Sequence, residues 1–271
     1  MNIVFLGDIV GHGGISSVSS FLPLFRKKND IDFVIANGEN AASDGKGLTE
    51  NDFLEIIKAG VDVVTLGNHY ASKQQALTFG KKYKNLLFPL NVIGHGRVNG
   101  TNCFKIKDTY IQVTNILGQA FLKEIVTSPF ETLSSLISNP DIPLIHIVDY
   151  HAESSSEKAT MAFEFDGGLT ALLGTHTHVQ TNDALILEKG TAFMTDVGYC
   201  GGYPSIIGFE PNSIIEKNLY KINTPFKTKE NGDSIINGVL LKIDEESGFC
   251  KEIIPLCLIN GKEKEYGKIN L

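Results

Sequence analysis

A chain of 271 residues with 42% hydrophobic content holds enough apolar material for a full core, which excludes a disulfide-stapled miniature or a disordered tail. Its 24 basic residues against 31 acidic ones leave a formal charge of −7, so no large basic face remains for duplex nucleic acid or anionic lipid. The 27 glycines are scattered behind apolar runs rather than gathered in tracts, which marks turns at strand ends.

In chain order, the first apolar run (residues 3–6) meets Gly7 and Asp8 too soon to be the core of a secretion signal. No later stretch approaches the roughly 18 apolar residues of a membrane span, so a soluble, cytoplasmic protein is expected. Runs rich in Val, Ile and Phe at residues 2–7, 32–36 and 61–66 alternate with helical spacing over 15–28 and from Thr49 onward. Asp52, three residues beyond Thr49, completes a capping-box pattern before Phe53, Leu54, Ile56 and Ile57. This β-α-β-α-β order predicts a parallel sheet in the first half. Residues 103–117 read as two strands turning at Lys107, Asp108 and Thr109, which adds antiparallel strands to that sheet. Beyond them the pattern predicts a strand at 143–150, a helix at 154–165, and strands at 169–174, 184–187, 191–196, 239–243 and 248–259. Residues 198–234 form the longest irregular stretch. No linker, repeat or charge block divides the chain, so a single domain over residues 1–271 is expected. Cys103, Cys200, Cys250 and Cys257 form no C-x-x-C pair and flank no histidine cluster, and they read as buried free thiols.

The residues just behind each strand carry the chemistry. Asp8 comes after the first, Glu39 and Asn40 after the second, and Asn68 and His69 after the third; His151 comes after the strand near Pro143, and His176 and His178 after the strand near Leu169. In an open parallel sheet, ligands bind beyond the carboxyl ends of the strands, so five strand ends can bring these residues together. Two carboxylates, two amide oxygens and three imidazoles, without a thiolate, suit manganese, iron, zinc, cobalt or nickel rather than copper(I) or an iron–sulfur cluster. The set is also richer in histidine than calcium or magnesium requires. In an extended segment His176 and His178 project from the same side, so both can reach a pair of ions roughly 3.5–4 Å apart. Two divalent ions against two carboxylates leave a surplus of positive charge that suits a bridging hydroxide and a phosphate ester. His69, neighbouring Asn68, is read instead as a proton donor to a departing alkoxide.

Each residue also has an ordinary structural reading. Asp8, Glu39 and Asn40 can serve as caps or turn formers, and Asn68 as a left-handed turn residue. The His-x-His pair at 176 and 178 is harder to dismiss, because two imidazoles behind a buried apolar run are costly to leave unpartnered. His146, mid-strand, reads as a satisfied core or supporting residue. His12, in a glycine turn, and His95, near Arg97, read as solvated loop residues. Lys46 is not a Walker A lysine, since Gly47 stands where Ser or Thr is needed, and residues 11–14 do not complete G-x-G-x-x-G.

Taken in order, GDIVG at 7–11, GEN at 38–40, GNH at 67–69, the histidine of DYHAE and GTHTHVQT at 174–181 resemble the motif series of calcineurin-like metallophosphoesterases. More closely they resemble the bacterial YmdB-like phosphodiesterases, a likeness extended by SEK at 156–158 and TDVG at 195–198. The resemblance implies a four-layer α/β/β/α sandwich with mixed sheets around a dinuclear centre. Asp8, Glu39, Asn40 and His178 would hold one metal, and Glu39, Asn68, His151 and His176 the other, with Glu39 bridging. It further implies two divalent or trivalent transition-metal ions, iron or manganese ahead of zinc, and a homo-oligomer. The implied substrates are 2′,3′-cyclic nucleotides, with 3′,5′-cyclic nucleotides and other phosphodiesters beside them, and His69 is the general acid. Val10 in place of the wider superfamily's histidine, and Glu39 in place of its aspartate, are changes that the YmdB-like branch shares. Tyr70, Ala71 and Ser72 stand where that branch commonly has Thr-Trp-Asp, and a basic residue is missing near Ile15; both differences bear on substrate contacts rather than on the metals.

The reaction expected from this reading is in-line attack on phosphorus by a metal-bridging hydroxide, with His69 protonating the leaving oxygen. Breaking the P–O2′ bond of a 2′,3′-cyclic substrate leaves a 3′-phosphate. Competing readings are an amidohydrolase, whose His-x-His usually closes its first strand, and a metallo-β-lactamase-like hydrolase, which needs Asp and His where Gln180 and Thr181 stand. A third is a metal-dependent, nucleotide-binding regulatory protein with little turnover.

Overall fold

A computed structural model describes residues 1–94 and 99–263, which leaves His95 and Arg97 outside the described residues. The first half runs through β1 (Asn2–Leu6), β2 (Asp8–Ile9), α1 (Gly11–Lys28), β3 (Phe33–Asn37), α2 (Glu50–Lys58), β4 (Val63–Thr65), α3 (Ala76–Phe79) and β5 (Leu86–Leu87). Next come β6 (Thr101–Ile106), β7 (Thr109–Leu117), α4 (Pro129–Ile137), β8 (Ile145–His151), α5 (Ser155–Glu164) and β9 (Ala171–Thr175). The chain continues through β10 (Leu185–Ile186), β11 (Ala192–Met194), β12 (Tyr199–Tyr203), α6 (Pro211–Asn218), β13 (Asp233–Ile243), β14 (Cys250–Ile259) and β15 (Lys262–Glu263).

Strand alternation builds the layers. In β1, Ile3 and Phe5 face inward with Phe33 and Ile35 of β3 and pack on Val113, Ile145, Ile147 and Leu173. On the opposite face Val4, Leu6 and Val34 pack on Val18 and Leu22 of α1 and Phe53 of α2. The second sheet repeats this: Val148, Tyr150 and Leu172 turn outward onto Leu133 of α4 and Met161 and Ala162 of α5. The result is a helix–sheet–sheet–helix sandwich. In the first sheet β1, β3, β4 and β5 are parallel, as the β-α-β-α-β pattern predicts, and β13 adds antiparallel to β1. In the second, β7, β8, β9 and β11 are parallel and β6 and β10 are antiparallel edges.

The hairpin at 103–117 therefore opens the second sheet instead of extending the first, because β7 pairs with β8, with Ile111 opposite Ile145. Helix α1 begins at Gly11 rather than Ile15, and His12 lies in its first turn, 3.2 Å from Asp52. A Cβ on Gly13 would stand 2.6 Å from the Lys229 carbonyl oxygen, and one on Gly14 2.5 Å from that of Cys200, so close packing demands glycines whose poor helix propensity disguises the helix start. Residues 198–234 contain a strand, β12, and a helix, α6, which opens on Pro211 at its first turn. The capping box at Thr49 and Asp52 forms as predicted. Only Cys200 and Cys250 are buried; Cys103 lies exposed on the edge strand β6 and Cys257 is half-buried. Among the described residues no helix is long and apolar enough to cross a membrane.

His146 sits inside β8 with Nε2 2.8 Å from Thr114 Oγ1 and no hydrogen-bond partner for Nδ1. Burial pushes its imidazole down from 6.5 to about 3. Its contribution to stability is complete above pH 6.5 and is lost as pH falls toward 3, where the unfolded chain binds a proton that the folded chain refuses. Stability is expected to fall by up to about 1.4 kcal/mol per pH unit in that window. Urea melts across it should show a flatter slope for His146→Gln, and an unchanged slope would assign the acid limb to other groups.

Candidate metal centre

The two sheets deliver the strand-end residues to one place. From the first come Asp8 in β2, Glu39 and Asn40 beyond β3, and Asn68 and His69 beyond β4; from the second come His151 closing β8, and His176 and His178 beyond β9. They fall into two groups. In one, His151 Nε2 lies 3.0 Å from Glu39 Oε1, 3.1 Å from Asn68 Oδ1 and 3.1 Å from His176 Nδ1. In the other, His178 Nε2 lies 3.2 Å from Asn40 Oδ1 and 3.8 Å from Asp8 Oδ1. The groups adjoin, since Asp8 Oδ2 accepts the His176 backbone N–H at 3.2 Å and Asp8 Oδ1 stands 3.9 Å from His151 Nδ1. All seven predicted ligand residues are thus gathered.

His176 and His178 reach these positions by a different backbone from the extended one expected. Both lie in the left-handed region, with φ of 107° and 61°. The turn sends His176 to the His151 group and His178 to the Asn40 group. A buried ion pair supports it: Lys158 Nζ donates to Asp196 Oδ2 at 3.0 Å and to the Thr175 carbonyl at 2.8 Å, and Asp196 Oδ2 accepts the Thr177 N–H at 2.9 Å. These two residues are the lysine of SEK and the aspartate of TDVG. Glu153 Oε2, 2.9 Å from His176 Nε2, leaves Nδ1 of that ring facing the cluster. The strand-end pattern passes over Asn37, Asp149 and Thr175, which are buried beneath His151; Asp149 is nonetheless signalled as a carboxylate in an apolar run, two residues from His151 and so on its face.

The electrostatics are those of a site short of positive charge. Burial raises the Asp8 carboxyl to about 6, against the pull of His178 and His151. Burial also opposes charge on Glu39, but the adjoining His151 outweighs it and holds the carboxyl down at about 2. Burial disfavours charge on His151 as well, yet Glu39 keeps that imidazole up at about 9. Burial and the neighbouring His151 hold His176 down at about 3. Asp8 Oδ1 is fully buried without a hydrogen-bond partner. Such an orphan carboxylate oxygen costs several kcal/mol unless a cation meets it, on the order of 1–3 even for neutral groups. The donors fit that demand: Glu39, His151 and His176 present ligand atoms all within 4.8 Å of one another. A Cβ on Gly67 would sit 2.3 Å from His151 Nε2 and 2.4 Å from Glu39 Oε2, so glycine keeps this meeting point open. These oxygen and nitrogen donors suit divalent transition metals.

His69 is half-buried beside the cluster. Its backbone N–H donates to Glu39 Oε2 at 2.8 Å, and its Nδ1 lies 3.3 Å from Ser72 Oγ.

Known proteins share this architecture. The family model described as YmdB-like protein matches residues 4–256. A 2′,3′-cyclic-nucleotide 2′-phosphodiesterase of Bacillus subtilis is 38% identical over 249 residues, which cover 91% of this chain and 93% of that one. The crystal structure of a phosphatase from Mycoplasma pneumoniae matches with a TM-score of 0.90 and 34% identity, over 96% of this chain and 93% of that chain. A protein of Thermus thermophilus matches with a TM-score of 0.88 and 34% identity, over 96% and 99%. The chain belongs to the YmdB-like family and has the metallophosphoesterase fold.

Proposed function

We propose that the chain hydrolyses phosphodiesters, 2′,3′-cyclic nucleotides foremost, at a pair of transition-metal ions. One ion would be held by Glu39, Asn68, His151 and His176, the other by Asp8, Asn40 and His178, with Glu39 shared. Iron or manganese ahead of zinc is what the family resemblance implies; the oxygen and nitrogen donors themselves suit all three. The carrying observation is the buried, unpartnered Asp8 Oδ1 among converging donors. The activity for which the Bacillus relative is named supports the substrate class.

When bound, such ions supply positive charge for phosphate oxygens and lower the pKa of bound water. The chain's own part lies in His69. Ser72 Oγ occupies the Nδ1 side of the ring, which leaves Nε2 to carry the proton for the leaving oxygen. Glu39 Oε2 fixes the backbone of His69, so the acid and the shared ligand keep a constant separation. With a 2′,3′-cyclic substrate the proton goes to O2′ and a 3′-monophosphate departs.

The test is a panel of 2′,3′- and 3′,5′-cyclic nucleotides, monoesters and bis(p-nitrophenyl) phosphate, run on metal-stripped protein resupplied with manganese, iron or zinc. Metal-dependent release of nucleoside 3′-monophosphate is expected. Nucleotide binding without product under every metal would instead identify a regulatory binding protein.

A further inference from the structure

Beneath His151 lies a buried polar group that the metal ligands do not explain. Asp149, fully buried in β8, accepts the Thr175 hydroxyl at Oδ1 over 2.7 Å. Its Oδ2 accepts the Thr65 hydroxyl at 2.5 Å and the Asn37 side-chain N–H at 3.0 Å. An ionised carboxylate only accepts, and a threonine hydroxyl has one hydrogen to give. With the Thr175 hydrogen committed to Asp149, Thr175 Oγ1 has its lone pairs left for His151 Nδ1, 2.8 Å away.

We propose that Asp149 and Thr175 form a positioning relay that keeps a proton on His151 Nδ1 and turns Nε2 toward Glu39 Oε1, Asn68 Oδ1 and His176 Nδ1 as the ligating nitrogen. The inference rests on reading those donors as a metal site. Asn37 extends the relay, since its Oδ1 accepts the Glu39 backbone N–H at 3.0 Å while its Nδ2 holds Asp149. One buried carboxylate thereby orients ligands of both sheets: His151 through Thr175 of β9, and Glu39 through Asn37 of β3. Partners of this kind, lying behind the ligands, commonly set metal affinity by ~10–100-fold.

Thr175 separates the relay from a mere structural tie. Valine keeps its shape and loses the hydroxyl, whereas serine keeps the hydroxyl and loses a methyl. Metal-stripped wild type, Thr175→Val, Thr175→Ser and Asp149→Asn would be titrated with manganese(II) by calorimetry, with metal-free melting followed in parallel. Thr175→Val and Asp149→Asn are expected to bind manganese ~10–100-fold more weakly, with Thr175→Ser close to wild type. Should Asp149→Asn fail to fold, the two Thr175 variants decide the matter. Wild-type affinity in Thr175→Val overturns the relay even if its metal-free melting temperature falls, and so does Thr175→Ser binding as weakly as Thr175→Val. A folded wild type that binds no manganese, iron or zinc overturns the metal-site reading and the relay with it, so the two failures are distinct.

Discussion

Replacing Asp8 by asparagine is expected to cost the ion proposed for Asp8, Asn40 and His178 while leaving the metal-free chain at least as stable as wild type. The two effects have opposite signs for one reason. Asp8 is fully buried, burial raises its carboxyl to about 6, and Oδ1 has no hydrogen-bond partner. Its charge therefore opposes folding unless a cation is bound. Asparagine keeps the shape, removes the charge and retains an oxygen for the His176 N–H. A ligand present at 100 times its Kd stabilises a fold by about 2.7 kcal/mol, and each kcal/mol moves Tm by roughly 2–4 °C in a chain of this size. Manganese should therefore raise the Tm of wild type by several degrees and that of Asp8→Asn by less. Turnover should fall by more than ~100-fold, because groups merely supporting metal ligands are already worth 10–100-fold. A variant that melts lower yet keeps the full manganese response of wild type would show that Asp8 serves the fold rather than the ions.

His69→Ala should behave in the opposite way, keeping metal and losing chemistry. His69 touches the cluster through its backbone, whose N–H to Glu39 Oε2 survives in alanine. Loss of a general acid costs about 10²–10⁴-fold when the leaving group is a poor one such as a ribose oxygen. A p-nitrophenolate leaving group needs no proton, so the variant should recover most of its rate on bis(p-nitrophenyl) phosphate. Turnover of a 2′,3′-cyclic nucleotide at the wild-type rate would remove His69 from proton transfer. An equal loss on both substrates would assign it to positioning.

Much of the site is legible in the sequence because each proposed ligand stands close behind an apolar run. Asp8 behind Ile3 to Leu6, Asn68 behind Val63 to Leu66 and His176 behind Ala171 to Gly174 are residues that a parallel sheet must present at one edge. Their grouping is not legible. His176 and His178 look like neighbours on one face of an extended segment, and a left-handed turn, pinned by Lys158 and Asp196, sends them to different partners. The hidden elements share a cause: a contact distant in sequence overrides local propensity. Gly11, Gly13 and Gly14 look like a turn, but they open α1 because β12 and residues 228–230 approach too closely for any side chain. Likewise Gly201 and Gly202 weaken the signal of β12, whose register comes from pairing with β13, Cys200 opposite Ile236. No strand end marks Asp149, since it lies one alternation inside β8.

Counting metal per chain tests the dinuclear centre most directly. Wild-type protein, purified without chelator and supplied with manganese or iron, would be analysed for bound metal and protein concentration in the same sample. Two ions per folded chain are predicted, with one lost from Asp8→Asn. A folded wild-type chain that takes up no transition metal from an excess, yet still opens 2′,3′-cyclic nucleotides, would contradict the assignment.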